Sequence, residues 1–149
     1  WAHSTGSYVY AAPAVASVPG GKPAVYIGSY TGQFFALDAR SGSVLWVHSG
    51  PSKISGAASV IGSVVYYSSL SARRTYALSA KTGRTLWSLG KGAFNPAISD
   101  GKRIYITGYS SIYAFTTRRE LRLERRAAAK QKRAARKKQS AKKKTKKKR

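Results

Sequence analysis

The chain is 149 residues long and carries 28 Lys and Arg against four Asp and Glu, a net charge of +24 at pH 7. It contains no cysteine and no methionine. The missing thiols exclude a thiolate nucleophile, a disulfide and a thiolate metal site, and the four scattered carboxylates suggest no pair for general acid–base work.

Taken in chain order, Trp1 is followed by a short apolar piece, "APAVAS" (Ala12 to Ser17), and a turn, "SVPGGK". Then come the strand-like run "VYIGSY" (Val25 to Tyr30) and the word "ALDARSGSVLW" (Ala36 to Trp46). The series begins again with "AASVIG", the turn "IGSV", "VVYYSS" (Val64 to Ser69) and "ALSAKTGRTLW" (Ala77 to Trp87). The two eleven-residue words agree at six positions, and Arg40/Lys81 and Ser41/Thr82 are close substitutes. A third series runs through "NPAISDG", the turn "SDGK", "RIYITG" (Arg103 to Gly108) and "SIYAFTT". Tyr26, Tyr66 and Tyr105 align, as do Ala36, Ala77 and Ala114.

A period of about 40 residues marks a repeat architecture in which each unit buries its apolar face against its neighbours. The runs are short, rich in Val, Ile, Tyr and Phe, and broken by Gly, Ser and Pro, so they read as strands. "RSGS" and "KTGR" read as hairpin turns in which Gly42 and Gly83 take positive φ. Four strands per unit predict blades of an all-β propeller. The expected organisation is a partial propeller over residues 1–117: the last strand of one blade, two whole blades and three strands of a final one. A Lys/Arg-rich tail, residues 118–149, completes the chain.

The repeated word resembles the tryptophan-docking motif of PQQ-like, quinoprotein-type β-propeller repeats, A-x-D-x-x-[ST]-G-x-x-x-W. The first copy matches at Ala36, Asp38, Ser41, Gly42 and Trp46; the second matches at Ala77, Thr82, Gly83 and Trp87 but has Ser79 for the acid. The third keeps Ala114 and then diverges, with Arg118 and Arg119 where Ser/Thr and Gly would stand. The resemblance implies that Trp46 and Trp87 rivet neighbouring blades, each lying over a motif glycine where a Cβ would block it. It also implies a C-terminal fragment of a ring of about seven or eight blades. The cysteine pair and clustered acids that quinoprotein dehydrogenases use around the quinone are not in this sequence, so no cofactor is expected. His3 and His48 each follow a docking tryptophan by two residues, which makes them equivalents in different blades rather than a metal or catalytic pair.

Eighteen of the 28 Lys and Arg lie from Arg118 onward. Leu121, Leu123 and the alanines favour a helix to about Arg136, and like-charge repulsion beyond Lys137 favours disorder. Lys137, Lys138, Lys142, Lys143, Lys144, Lys146, Lys147, Lys148 and Arg149 are the candidate polyanion-binding residues, since each cation held near a phosphate or acidic polymer releases a counterion. The tail reads either as a solubiliser without a partner or as a binder of anionic lipid, wall polymer or nucleic acid. It has no aromatic residue, which argues against base stacking.

No apolar run reaches the roughly 18 residues of a transmembrane helix. The resemblance implies a bacterial cell-envelope, periplasmic or secreted location. The expected function is a non-catalytic propeller scaffold that recognises a protein or polymer. The alternatives are the C-terminal part of a PQQ-dependent sugar or alcohol dehydrogenase whose active site lies in other blades, and a nucleic-acid binder acting through the tail.

Overall fold

The computed structural model of the chain describes residues 1–92 and 97–146. Two compact units are present, Trp1–Ala114 and Phe115–Arg149.

The first unit is built of antiparallel meanders. Strands β1 (Ala14–Ala16), β2 (Ala24–Gly28), β3 (Gln33–Asp38) and β4 (Val44–Ser49) form one sheet in sequence order. Strands β5 (Ser59–Ile61), β6 (Val64–Ser69), β7 (Arg74–Ser79) and β8 (Thr85–Leu89) repeat that sheet. Strands β9 (Ile98–Ser99), β10 (Arg103–Thr107) and β11 (Ile112–Thr116) form a third, three-stranded sheet. Asn95 and Pro96, at the start of "NPAISDG", lie outside the described residues.

The registers explain why the two copies of the word share their spacing. Tyr26 stands opposite Ala36, and Tyr66 stands opposite Ala77. Ala36 then pairs with Trp46 while Leu37 pairs with Val44, so the register shifts by one residue. The same shift recurs between Ala77–Trp87 and Leu78–Thr85. An extra residue in one strand increases local twist and re-aims a side chain. Here it sets the tryptophan against a fully buried alanine, small enough to leave the indole its space.

Burial follows strand position. β2 and β6 are middle strands and are buried along most of their length; for β2 the second sheet covers one face and the segment around Ala11 packs on the other. The main core cluster mixes the first two blades: Tyr26, Phe34 and Ala36 pack with Ile54, Val65, Tyr67, Leu78 and Ala80. Phe34 stacks on Tyr67 at 4.4 Å between centroids, and Tyr67 stacks on Tyr76 at 5.0 Å. Neither sheet buries this surface alone, so the aromatic stack is the physical form of the repeat's dependence on its neighbour.

Residues 1–13 contain no assigned strand, although a blade's last strand was expected there; no described strand lies beside them to form a ladder. In the second unit, helix α1 spans Arg118–Lys146. The Thr117 hydroxyl accepts the Glu120 backbone N–H at 3.1 Å, an N-cap, and Glu120 places an acid in the first turn. The helix passes the expected end at Arg136 and takes in the segment from Lys137 to Lys146 for which disorder was expected. No Gly or Pro interrupts that segment, and Lys, Gln and Ala are good helix formers.

Candidate functional site

The repeated word forms a seam between blades. Trp46 projects from β4, is partly buried, and donates its indole Nε1–H to the Ala80 carbonyl of the next blade at 3.1 Å. The Tyr26 hydroxyl donates to the same carbonyl at 3.0 Å. The indole covers Gly83: a Cβ there would lie 2.6 Å from Trp46 Cε3. Gly83 also has φ +71°, a left-handed conformation that costs an L-residue about 1–2 kcal/mol. Two separate constraints therefore require glycine at this position.

The seam repeats one unit earlier. Trp1 Nε1–H donates to Ala39 O at 3.2 Å, and a Cβ on Gly42 (φ +74°) would collide with the Trp1 indole. Ala39 and Ala80 hold equivalent places in the two words. Trp87 stands opposite Ala77 and meets Tyr66 edge-on at 5.8 Å, the same separation at which Trp46 meets Tyr26. Ala36, Gly42, Trp46, Ala77, Gly83 and Trp87 thus occupy corresponding positions in successive blades.

Asp38 explains the acid of the first word. Its Oδ1 accepts the backbone N–H groups of Ser41 at 3.1 Å and Arg40 at 2.9 Å. Those bonds, with a smaller contribution from Lys22 at 3.8 Å, hold its carboxyl below the usual range. Ser79 replaces it in the second word without loss of the turn. Gly42 N–H donates to Asp38 O and Gly83 N–H to Ser79 O, both at 2.8 Å. Backbone bonds therefore close the hairpin in both copies, and the side chain adds to them in one.

The other chemically capable groups are engaged in turns and packing. Asp100 accepts the backbone N–H groups of Arg103 and Lys102 and the Tyr105 hydroxyl, which push its carboxyl down to about 2. His3 meets Phe35 edge-on at 5.5 Å, and His48 tilts against Tyr67 and Tyr76 at 6.0 Å. Phe35 and Tyr76 are equivalents, each one residue before the motif alanine, so the two histidines make the same contact in different blades. Burial pushes the His48 imidazole below its ordinary value. Among the described residues no three His, Cys, Asp or Glu come together as a metal site, and no helix is long and apolar enough to cross a membrane.

Of the candidate tail residues, Lys137, Lys138, Lys142, Lys143, Lys144 and Lys146 lie on α1. Lys147, Lys148 and Arg149 lie outside the described residues. Sequence reasoning passed over two groups at one end of the sheets, the touching rings of Tyr8, Tyr10 and Tyr30 and the pair Arg73 and Tyr109. Their one sequence signal was the recurrence of Tyr four residues after the aligned Tyr26 and Tyr105.

A solved structure of BamB from Moraxella catarrhalis is similar, with a TM-score of 0.64 and 23% identity over 78% of this chain and 37% of that one. A solved quinohemoprotein alcohol dehydrogenase, ADHIIG from Pseudomonas putida HK5, is similar with a TM-score of 0.58 and 20% identity over 74% of this chain and 19% of that one. The chain thus spans little more than a third of the first and just under a fifth of the second, and the likeness establishes a shared PQQ-like propeller fold. No curated protein matches the chain. Residues 4–89, more than half of the sequence and including both complete words, match the model of the family described as outer membrane protein assembly factor BamB, and the chain belongs to that family.

Proposed function

We propose that the chain is part of a non-catalytic β-propeller scaffold of the bacterial cell envelope, periplasmic or secreted, which recognises a protein or polymer partner. The observation that carries this reading is the use made of the repeat's distinctive residues. Trp46, Gly83, Asp38 and the histidines are committed to seams, turns and ring packing, and a propeller whose motif residues hold blades together offers its loops for recognition. The family match adds an envelope setting. The basic helix supplies a second binding element for anionic lipid, wall polymer or nucleic acid, through the charge of residues 118–149.

The dehydrogenase reading draws on the likeness to the quinohemoprotein enzyme. One experiment separates the two. Pyrroloquinoline quinone and calcium are added to the protein while absorbance and dye-linked alcohol oxidation are followed. The scaffold reading expects neither saturable binding nor turnover, and either result overturns it for this chain.

A further inference from the structure

Successive turns of an antiparallel meander alternate between the two ends of the sheet. The β1–β2 and β3–β4 turns of a blade therefore share one end, and the β2–β3 turn shares the other with the connection to the next blade. Backbone bonds tie that second end together: Tyr30 N–H to Tyr8 O at 3.0 Å, Gly50 N–H to Gly32 O at 2.7 Å, and Gly92 N–H to Arg73 O at 3.0 Å.

The first end carries both signs, with Lys22, Arg40, Lys81, Arg84 and Lys102 in its turns beside two acids. Asp38 and Asp100, the two acids of the blades, stand at the first end, in the β3–β4 and β9–β10 turns. Among the described residues the second end comprises 4–13, 29–32, 50–58, 70–73, 90–92 and 108–111. These stretches contain Lys53, Arg73 and Lys91 and no Asp or Glu.

Aromatic rings stand among those cations. Tyr10 stacks on Tyr30 at 4.9 Å, and Tyr8 meets Tyr30 edge-on at 6.4 Å and Tyr10 at 6.1 Å. Tyr8 is 72% and Tyr10 69% exposed, so the far side of the stack is open. The Lys53 ammonium lies 5.5 Å from the Tyr30 centroid. Two blades on, at the position equivalent to Tyr30, Tyr109 is 73% exposed, with the Arg73 guanidinium 5.1 Å from its centroid. Arg73, Lys91 and Tyr109 line a shallow cavity of about 250 Å³. Arg73 is the one non-glycine residue with positive φ (48°) among the described residues. It stands four residues before Ala77, as Gly32 stands four before Ala36. A strained residue kept where another blade has glycine points to a use for its side chain.

We propose that this end of the propeller binds an anionic glycan. A sugar ring lies on the open face of Tyr10, and Lys53 beside Tyr30 and Arg73 beside Tyr109 hold acid groups further along the same polymer. The inference rests on the reading of the chain as a binding propeller and names its ligand class. The C–H face of a pyranose ring packs on a π face, and cations without neighbouring carboxylates select an acid-bearing partner. Single-stranded nucleic acid stacks successive bases on separate rings, whereas here three rings touch and form one platform. A protein hot spot sits in a packed apolar surround. Val9 is the one large exposed aliphatic in these stretches among the described residues.

The test titrates the full chain with a short oligogalacturonate, its neutral methyl ester, a polyglutamate of matched charge and a single-stranded oligothymidylate, at about 0.15 M salt to screen the helix. Tyr10→Ala is expected to weaken oligogalacturonate binding about tenfold and to leave polyglutamate and oligothymidylate binding unchanged. Tyr10→Phe keeps the ring and the affinity. Lys53→Gln brings the acid part of the way down to the affinity of the ester, since Arg73 still holds its own contact. The proposal is overturned if oligogalacturonate does not bind at millimolar concentration, or binds Tyr10→Ala as well as the parent. An equal loss for polyglutamate would point instead to an acidic protein surface, and an equal loss for oligothymidylate to a nucleic acid; each overturns the glycan assignment. Quinone turnover would sink the binding-propeller reading itself, an outcome separate from any of these.

Discussion

Removing the Trp46 side chain tests the seam directly. Burying a tryptophan removes about 200 Å² from water, worth roughly 5 kcal/mol at about 25 cal/mol per Å². Partial exposure and a compact unfolded chain reduce that figure. The lost indole hydrogen bond adds about 1 kcal/mol and no orphan penalty, because Ala80 O still accepts the Tyr26 hydroxyl. Trp46→Ala should therefore destabilise by about 3–4 kcal/mol, within the range of large aromatic truncations. Gly83→Ala should also be costly, through its φ of +71° and a Cβ placed 2.6 Å from the indole. In a Trp46→Ala background only the backbone cost remains, about 1–2 kcal/mol. The double variant should thus be less damaged than the sum of the singles, by about 1–2 kcal/mol. Urea denaturation of the four proteins, followed by far-ultraviolet circular dichroism, gives the cycle. A Trp46→Ala loss below about 1 kcal/mol, or strict additivity, would refute the seam.

His48 offers a pH test. Its imidazole titrates below the ordinary 6.5 because burial disfavours the cation. As pH falls through 6.5 the unfolded chain takes up a proton that the folded chain refuses, so the stability held above that pH is lost toward the folded value. His48→Phe should flatten this part of the urea-midpoint profile between about pH 7.5 and 5.5; parallel profiles would remove His48 as the cause. The tail offers a salt test. Binding of DNA or anionic vesicles should weaken steeply with salt, with a log–log slope of roughly −5 if six phosphates of duplex DNA are neutralised, and deletion of residues 118–149 should abolish it. Undiminished binding by the truncated chain would place the site on the blades.

The blades were legible because their rules are periodic. The same eleven residues recur at a fixed spacing, and their alanine, glycine and tryptophan meet one geometry in each copy, visible in the paired registers Ala36–Trp46 and Ala77–Trp87. The helix end was misplaced for an opposite reason: Lys137 to Lys146 has no pattern, and charge repulsion and helix propensity pull in different directions there. Thr117 went unread as a cap because its three-residue relation to Glu120 falls where the strand pattern gives way to the tail.

The tyrosine cluster illustrates a deeper limit. Repetition reveals what every blade needs, which is the seam. The proposed recognition surface lies where the blades differ, and a repeat alignment treats such positions as noise. The position of Tyr30 is Leu70 in the second blade and Tyr109 in the third, and the position of Gly32 is Arg73 in the second. Each is a turn position at which the second blade departs from its neighbours. Tyr8 joins Tyr30 only because a backbone bond brings the chain's opening segment beside the β2–β3 turn, a pairing that follows from the placing of strands rather than from either local sequence. Tolerance of such substitutions also has a physical basis. A turn whose backbone bonds close without its side chains, as at Asp38 and Ser79, can change residues at little cost to the fold, so the loops are free to diverge while the seams are held.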